Sequence, residues 1–438
     1  MKTQNLVDAS SYNDTHTHYP QLELQKNSDT NFLKIHSPLS PFNQLDDDES
    51  FLFQHFLTNT SFAVVAFPSK QRNIYLNTIV PMSMSQPAIW YSLLSLSAEH
   101  CKSTIPKFHN ILRQFHHQAI RHSYEYMATR HKHPEVVLSI CLMLINNEIA
   151  LNKLQKRSSL MDLASSIIKS NGGIQDFKRR SKNARGLIEL FIYHDVMSSL
   201  TTGIPGLSGQ DDSNPFRVQR KVHDESESEP DLFFGFAKDL FSHIIKLPSF
   251  SCYNSLSKDF SINDQVEYEA IEMALQSWQL PKEINDLLEQ AKIKNLSEIE
   301  NDGTDLLSLA ESAIAIQWAG ILMHHQMRNG YALDNPKVKV ASQNIVEAIS
   351  HIRMGSSLES LILFPLIMAA LGGGDRSFIL ARFSSISSNL GFDHINTAVR
   401  FVREVWHNSD NGFYYNSNDK GFNWQRLLKE KYCHLSMV

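Results

Sequence analysis

LILFPLIMAALGGGDRSFILARFSSISSNLGF, Leu361 to Phe392, is the stretch from which the fold class is read. Helical periodicity runs through residues 358–371 and again through 375–389, with Gly372-Gly373-Gly374 between the two. A left-handed C-cap or a hinge is the ordinary use of glycine at such a point. A phosphate-cradling loop would need a Lys and a Ser or Thr next, and here Asp375-Arg376 follow. A sharper expectation is that the break borders a ligand pocket lined by Phe364, Ile367, Met368 and Leu371 with Gly372, Gly373 and Gly374, able to take an apolar effector. Against it stands the plain reading that Met and aromatic stripes pack as core.

Outward from this stretch the same period repeats. Downstream, a helix is expected over 395–406. Upstream, helices are expected over 336–352, 304–329 and 264–293, and period resumes near Leu232. In the N-terminal half, Ile89, Leu93, Leu94 and Leu96 mark a helix ending near Cys101, with Ser85 as its expected N-cap and Pro87 in its first turn. Phe108 to Met127 carries an apolar stripe over about five turns. Val136 to Ile145 follows, then Leu160 to Ile168 closed by Gly172-Gly173, then Leu187 to Val196. No segment alternates with period two. The acidic run Asp46-Asp47-Asp48-Glu49 before Phe51 and Leu52 suits the positive end of a helix dipole, so order is expected to start there.

The expected organisation is therefore all-α: a disordered leader at 1–45, a large multi-helix array at 46–432 with a possible seam in the Gly/Pro-rich and polar stretch 201–230, and a short tail at 433–438. Of the 438 residues, 42% are hydrophobic, enough for a sizeable core. The net charge of -5 disfavours a direct grip on nucleic-acid phosphates. The basic clusters Lys178 to Lys182 and Arg217 to Lys221 are expected in solvated loops. Four cysteines, Cys101, Cys141, Cys252 and Cys433, have no Cys-x-x-Cys spacing, so neither a zinc cluster nor a disulfide framework is expected, and Cys101 and Cys141 read as buried thiols. No signal peptide and no run of about eighteen uninterrupted apolar residues is present, so no membrane partner is expected.

No catalytic constellation emerges. The acidic run at Asp46 invites comparison with helical terpene synthases, but Asn301-Asp302-Gly303-Thr304-Asp305 does not complete a second metal motif. Twenty histidines, among them His116, His122 and the pair His324-His325, show no HExxH or similar spacing and read as exposed or core side chains. There is no Gly-x-Ser-x-Gly elbow. No enzyme, cofactor, metal site or DNA-binding residue is expected.

Several segments, in order, resemble the fungal-specific transcription factor domain, the regulatory region C-terminal to the zinc binuclear cluster of fungal transcription factors. They are PAIWYSLLSLSAEH (Pro87 to His100), FHHQAIRHSYEYM (Phe115 to Met127), EVVLSICLMLINNEIA, the helix ending in Asn171-Gly172-Gly173, the opening stretch at 361–392, FVREVWHNSD (Phe401 to Asp410) and FNWQRLL (Phe422 to Leu428). The resemblance spans about residues 46–432. It implies an all-α regulatory domain of a nuclear protein shuttling with the cytoplasm. Its implied partners are other transcription regulators or a homodimer partner, and an apolar small-molecule effector. The chain departs from the family at RSSLMDLAS, where Asp162 stands in place of a His. No cysteine precedes Asp46, so DNA is expected only indirectly or through a missing module. The rival expectation is a ligand-free helical scaffold or interaction module, against which the lack of an internal repeat counts.

Overall fold

In the computed structural model the described residues are 46–67, 69–130, 132–152, 157–204, 206–209, 229–250, 261–293, 301–413, 421–432 and 435–436. The leader, Arg217 to Lys221, Cys252 and Cys433 lie outside them. Among the described residues the fold is all-α. The sole β feature there is an isolated bridge between Asp231 and Gly235.

Local chemistry sets many of the helix ends. Helix α1, Asp47–His55, starts where the Asp46 carboxylate accepts from the Glu49 backbone N–H at 2.7 Å, with Asp47, Asp48 and Glu49 at the positive end of its dipole. It runs on through a π turn at Phe56–Thr60. Helix α2, Pro87–Cys101, uses Pro87 at its first position, where a missing N–H costs nothing. Its expected cap differs: Gln86 is the N-cap residue and makes no side-chain bond there, while the Ser85 hydroxyl turns back to the Met82 carbonyl. Helices α3, Phe108–Met127, and α4, Pro134–Ala150, follow, then α5, Arg157–Ser170. The chain turns into α6, Gly173–Arg179, through Gly172 and Gly173, both left-handed at φ 94° and 83°, as the Gly-Gly pair predicts. Lys178 and Arg179 thus sit in the last turn of a helix, where they favour its negative end, and not in a loop. Helix α7, Lys182–Thr202, is capped by Ser181 and ended by left-handed Gly203.

After α8, Lys238–Ile244, the helix expected over 264–293 is two: α9, Ile262–Ser277, opened by a Ser261/Asp264 capping box, and α10, Lys282–Ile293. Trp278 is extended and Pro281 stands three residues on, a position that cannot supply an N–H to a continuing helix. Helices α11, Asn301–Asn329, and α12, Pro336–Ser350, lead to a 3-10 turn at Ser357–Ile362. Helix α13, Leu363–Leu371, begins only there, so that Pro365 falls in a first turn and not inside a longer helix. Helices α14, Arg376–Leu390, α15, His394–Asp410, and α16, Trp424–Lys431, complete the array.

Helices α2 and α4 are buried on nearly every face and form the axis of the N-terminal half, packed by α3, α5 and α7. In the C-terminal half α11 and α13 play that part, packed by α12, α14 and α15. Each fully buried Leu, Ile or Phe contributes roughly 1.5–3 kcal/mol, so the absence of an amphipathic stripe in these central helices reflects burial all round. By length and composition Leu306–Asn329 could cross a membrane, but 78% of that apolar window is buried against other helices. The halves are joined where Lys102 bridges Glu99 at 2.6 Å and Asp393 at 2.8 Å, and where the Asp393 N–H donates to the Ala150 carbonyl. Leu435 and Ser436 are buried. Cys101 and Cys141 are buried free thiols, as expected.

Candidate functional site

Of the glycines singled out after α13, Gly372 is buried, Gly374 half-buried and Gly373 exposed. Phe364, Ile367, Met368 and Leu371 are all buried in α13. Three side chains from neighbouring helices satisfy its last carbonyls: Ser342 of α12 donates to Ala369, Trp406 of α15 to Ala370, and Gln326 of α11 to Leu371, at 2.9–3.0 Å. A Cβ on Gly372 would stand 2.5 Å from Leu322 Cδ1 and 2.9 Å from Ser342 Cβ, and one on Gly374 would be 3.0 Å from the Ala369 carbonyl oxygen. Gly373 takes φ 80°. Here glycine permits close packing of α13 on α11 and α12, and these seven residues line neither of the cavities described next.

The larger cavity, 340 Å³, opens in the N-terminal half. Helices α3 and α5 both pack on α4, and the space between them forms a cleft with α4 as its floor. Ile120, Ser123, Tyr124 and Met127 come from one face of α3, since spacings of three and four share a face. Ile140, Cys141, Leu144 and Glu148 come from α4 by the same rule, and Ser159, Leu160 and Leu163 from α5. At the rim Tyr124 is 68% and Leu163 40% exposed, large apolar surfaces that a ligand would cover. The volume lies at the lower end of small-molecule sites, which span about 300–1,000 Å³.

Polar groups at the cleft are few. The Glu148 carboxylate is buried, with His116 Nε2 at 3.3 Å from its Oε1. The Ser123 hydroxyl donates to the Ile120 carbonyl at 2.6 Å, which leaves its oxygen able to accept. Burial pushes the Cys141 thiol up to about 12, so it is a packing group and no nucleophile. The chemistry offered is thus an apolar slot with hydrogen-bond acceptors at Glu148 on its floor and Ser123 on its α3 wall. Asp162 on α5 is exposed. A second cavity of only 50 Å³ lies between the halves, lined by Tyr193, Asn146 and Phe392 among others.

Sequence reasoning missed this cleft because its walls come from three helices whose stripes each read as core. The available signal was the polar run Asn146-Asn147-Glu148 near the end of a mostly apolar helix.

A sequence model of the fungal specific transcription factor domain matches residues 51–437, most of the chain. No curated protein and no solved structure matches it significantly. With the all-α array and the ordered series of helices at hand, the chain belongs to the fungal specific transcription factor domain family.

Proposed function

We propose that this chain is the effector-sensing part of a nuclear transcription regulator, and that the cleft between α3 and α5 receives an apolar small molecule bearing a hydrogen-bond donor. Family membership supports the regulatory role. The observation that carries the sensing role is the 340 Å³ cleft, apolar at its walls and carrying Glu148 at its floor. A ligand there would touch α3 and α5 at once and stabilise the arrangement in which both line the cleft; a ligand shifts such an equilibrium by its difference in affinity for the two states. DNA is reached through another regulator, a second copy or a zinc-cluster module outside this sequence, consistent with the net charge of -5.

Three measurements test the reading. The chain tethered to a heterologous DNA-binding module upstream of a reporter is expected to change transcription, and chromatin association of the tagged chain in its native cells is expected to show discrete promoter peaks. Nile red, a neutral apolar fluorophore without a hydrogen-bond donor, probes the apolar walls alone and is expected to bind with enhanced emission and to lose that signal in Leu163→Trp, which fills the rim. An inert tethered chain with no chromatin enrichment would return the protein to a ligand-free helical scaffold.

A further inference from the structure

Away from the cleft, adjacent histidines on α11 meet an acid from α9. One ring nitrogen each of His324 and His325 and a carboxylate oxygen of Glu272 lie within 4.8 Å of one another. Both rings are buried. His324 is held in one orientation: its Nε2 is 2.9 Å from the Tyr268 backbone carbonyl, and the Tyr268 ring stacks on it with centroids 3.9 Å apart. A carbonyl can only accept, so Nε2 carries the proton and Nδ1 keeps its lone pair. That Nδ1 is sealed from solvent and has no hydrogen-bond partner among the described residues. An imidazole whose protonated nitrogen is fixed by a backbone carbonyl is the arrangement that orients a metal-binding histidine.

The spacing of the other two groups agrees. His325 Nδ1 and Glu272 Oε1 are 3.9 Å apart, too far for a hydrogen bond. Two ligands about 2.0–2.1 Å from a tetrahedral ion stand roughly 3.3–3.4 Å apart, so this pair must close by about half an ångström to share one. Glu272 is 23% exposed, and its Oε1 also accepts from Gln276 Nε2 at 3.2 Å, an exposed contact that gives way as the carboxylate turns to close the set. Lys337 Nζ stands 3.7 Å from Glu272 Oε1, but its side chain is 64% exposed and leaves into solvent without breaking a buried contact.

We propose that Glu272, His324 and His325 bind one divalent transition-metal ion, with zinc the best match to two imidazoles and a carboxylate. The ion would clamp α9 onto α11, and solvent would complete its coordination on the exposed side of Glu272. This site is independent of the cleft and of the regulatory reading.

The test uses the untagged full chain, stripped with chelator, titrated with Zn(II) by calorimetry and with Co(II) by visible absorption. Wild type is expected to bind one equivalent of Co(II) with d–d bands of a low-coordinate nitrogen–oxygen site. Glu272→Gln, partly exposed and the same shape, is expected to weaken binding roughly 10-fold or more, the scale seen when groups supporting a metal site are lost. Lys337→Met is expected to tighten it. His325→Gln is the second ligand variant, with circular dichroism to verify its fold. Binding equal in stoichiometry and affinity in wild type and Glu272→Gln, or no d–d absorption in wild type, would overturn the proposal.

Discussion

The glycine break after α13 and the cleft between α3 and α5 are made of the same materials, aliphatic and Met side chains on helices, yet one is closed and the other open. At α13 the neighbours α11, α12 and α15 each reach in with a hydrogen bond to a terminal carbonyl, and Gly372 lets Leu322 and Ser342 approach to contact. Between α3 and α5 no helix plays that part, and Tyr124 and Leu163 remain at the rim. Apolar composition therefore does not say whether a face is filled. What decides is the number of elements that converge on it.

The sharpest way to break this contrast lies in the closed region. Arg382 of α14 is buried, donates to the Ile352 carbonyl at 2.9 Å and faces the buried Glu359 at 3.5 Å. Arg382→Met leaves an uncompensated buried carboxylate and is expected to cost about 3–5 kcal/mol in urea unfolding, whereas Arg382→Met with Glu359→Leu should recover most of it. Equal losses in the single and double variants would show that the pair is not what holds α14 there.

Gly372→Val comes next, at about 3 kcal/mol, since its side chain must displace Leu322 and Ser342 from a filled joint. A stability near wild type would mean that the break is roomier than its packing implies.

The junction of the two halves gives a pH signature. Desolvation raises Glu99 to about 7, partly offset by Lys102, from an ordinary value of 4.5. The folded state then holds a proton that the unfolded state releases, so this group's stabilisation is complete below pH 4.5 and is lost as pH rises through about 7. Over that window wild type should lose on the order of 2 kcal/mol relative to Glu99→Gln. Parallel pH profiles for the two proteins would remove Glu99 as the titrating group.

The smallest effect is expected at the open region. Leu163→Ala, with its side chain already 40% exposed, should change stability by no more than about 0.5 kcal/mol while weakening Nile red binding. A large loss of stability would show that the rim is structural.

Much of the fold was legible because helix ends are written locally. The Asp46 carboxylate, the Gly172-Gly173 pair and Pro87 each act on backbone groups within a few residues, so their reading needs no tertiary knowledge. Pro281 was equally local, and overlooking it merged α9 with α10. The cap expected at Ser85 failed because the turn at Met82 took its hydroxyl. The cleft was not legible, and neither was Glu272 beside His324-His325, since the acid arrives from a different helix and no spacing along the chain encodes that meeting.

By itself the sequence determined the helical class, the starts and stops of most helices, the buried thiols and the family, all consequences of short-range geometry and of the order of apolar segments. Tertiary structure alone decided which apolar faces were left uncovered, which carboxylate met which histidine, and that the glycine triplet became a joint. Those outcomes depend on helices distant in the chain converging in space, as when Trp424 of α16 donates to Gln326 of α11 across 98 residues, and the side-chain period of one helix carries no record of what will pack against it.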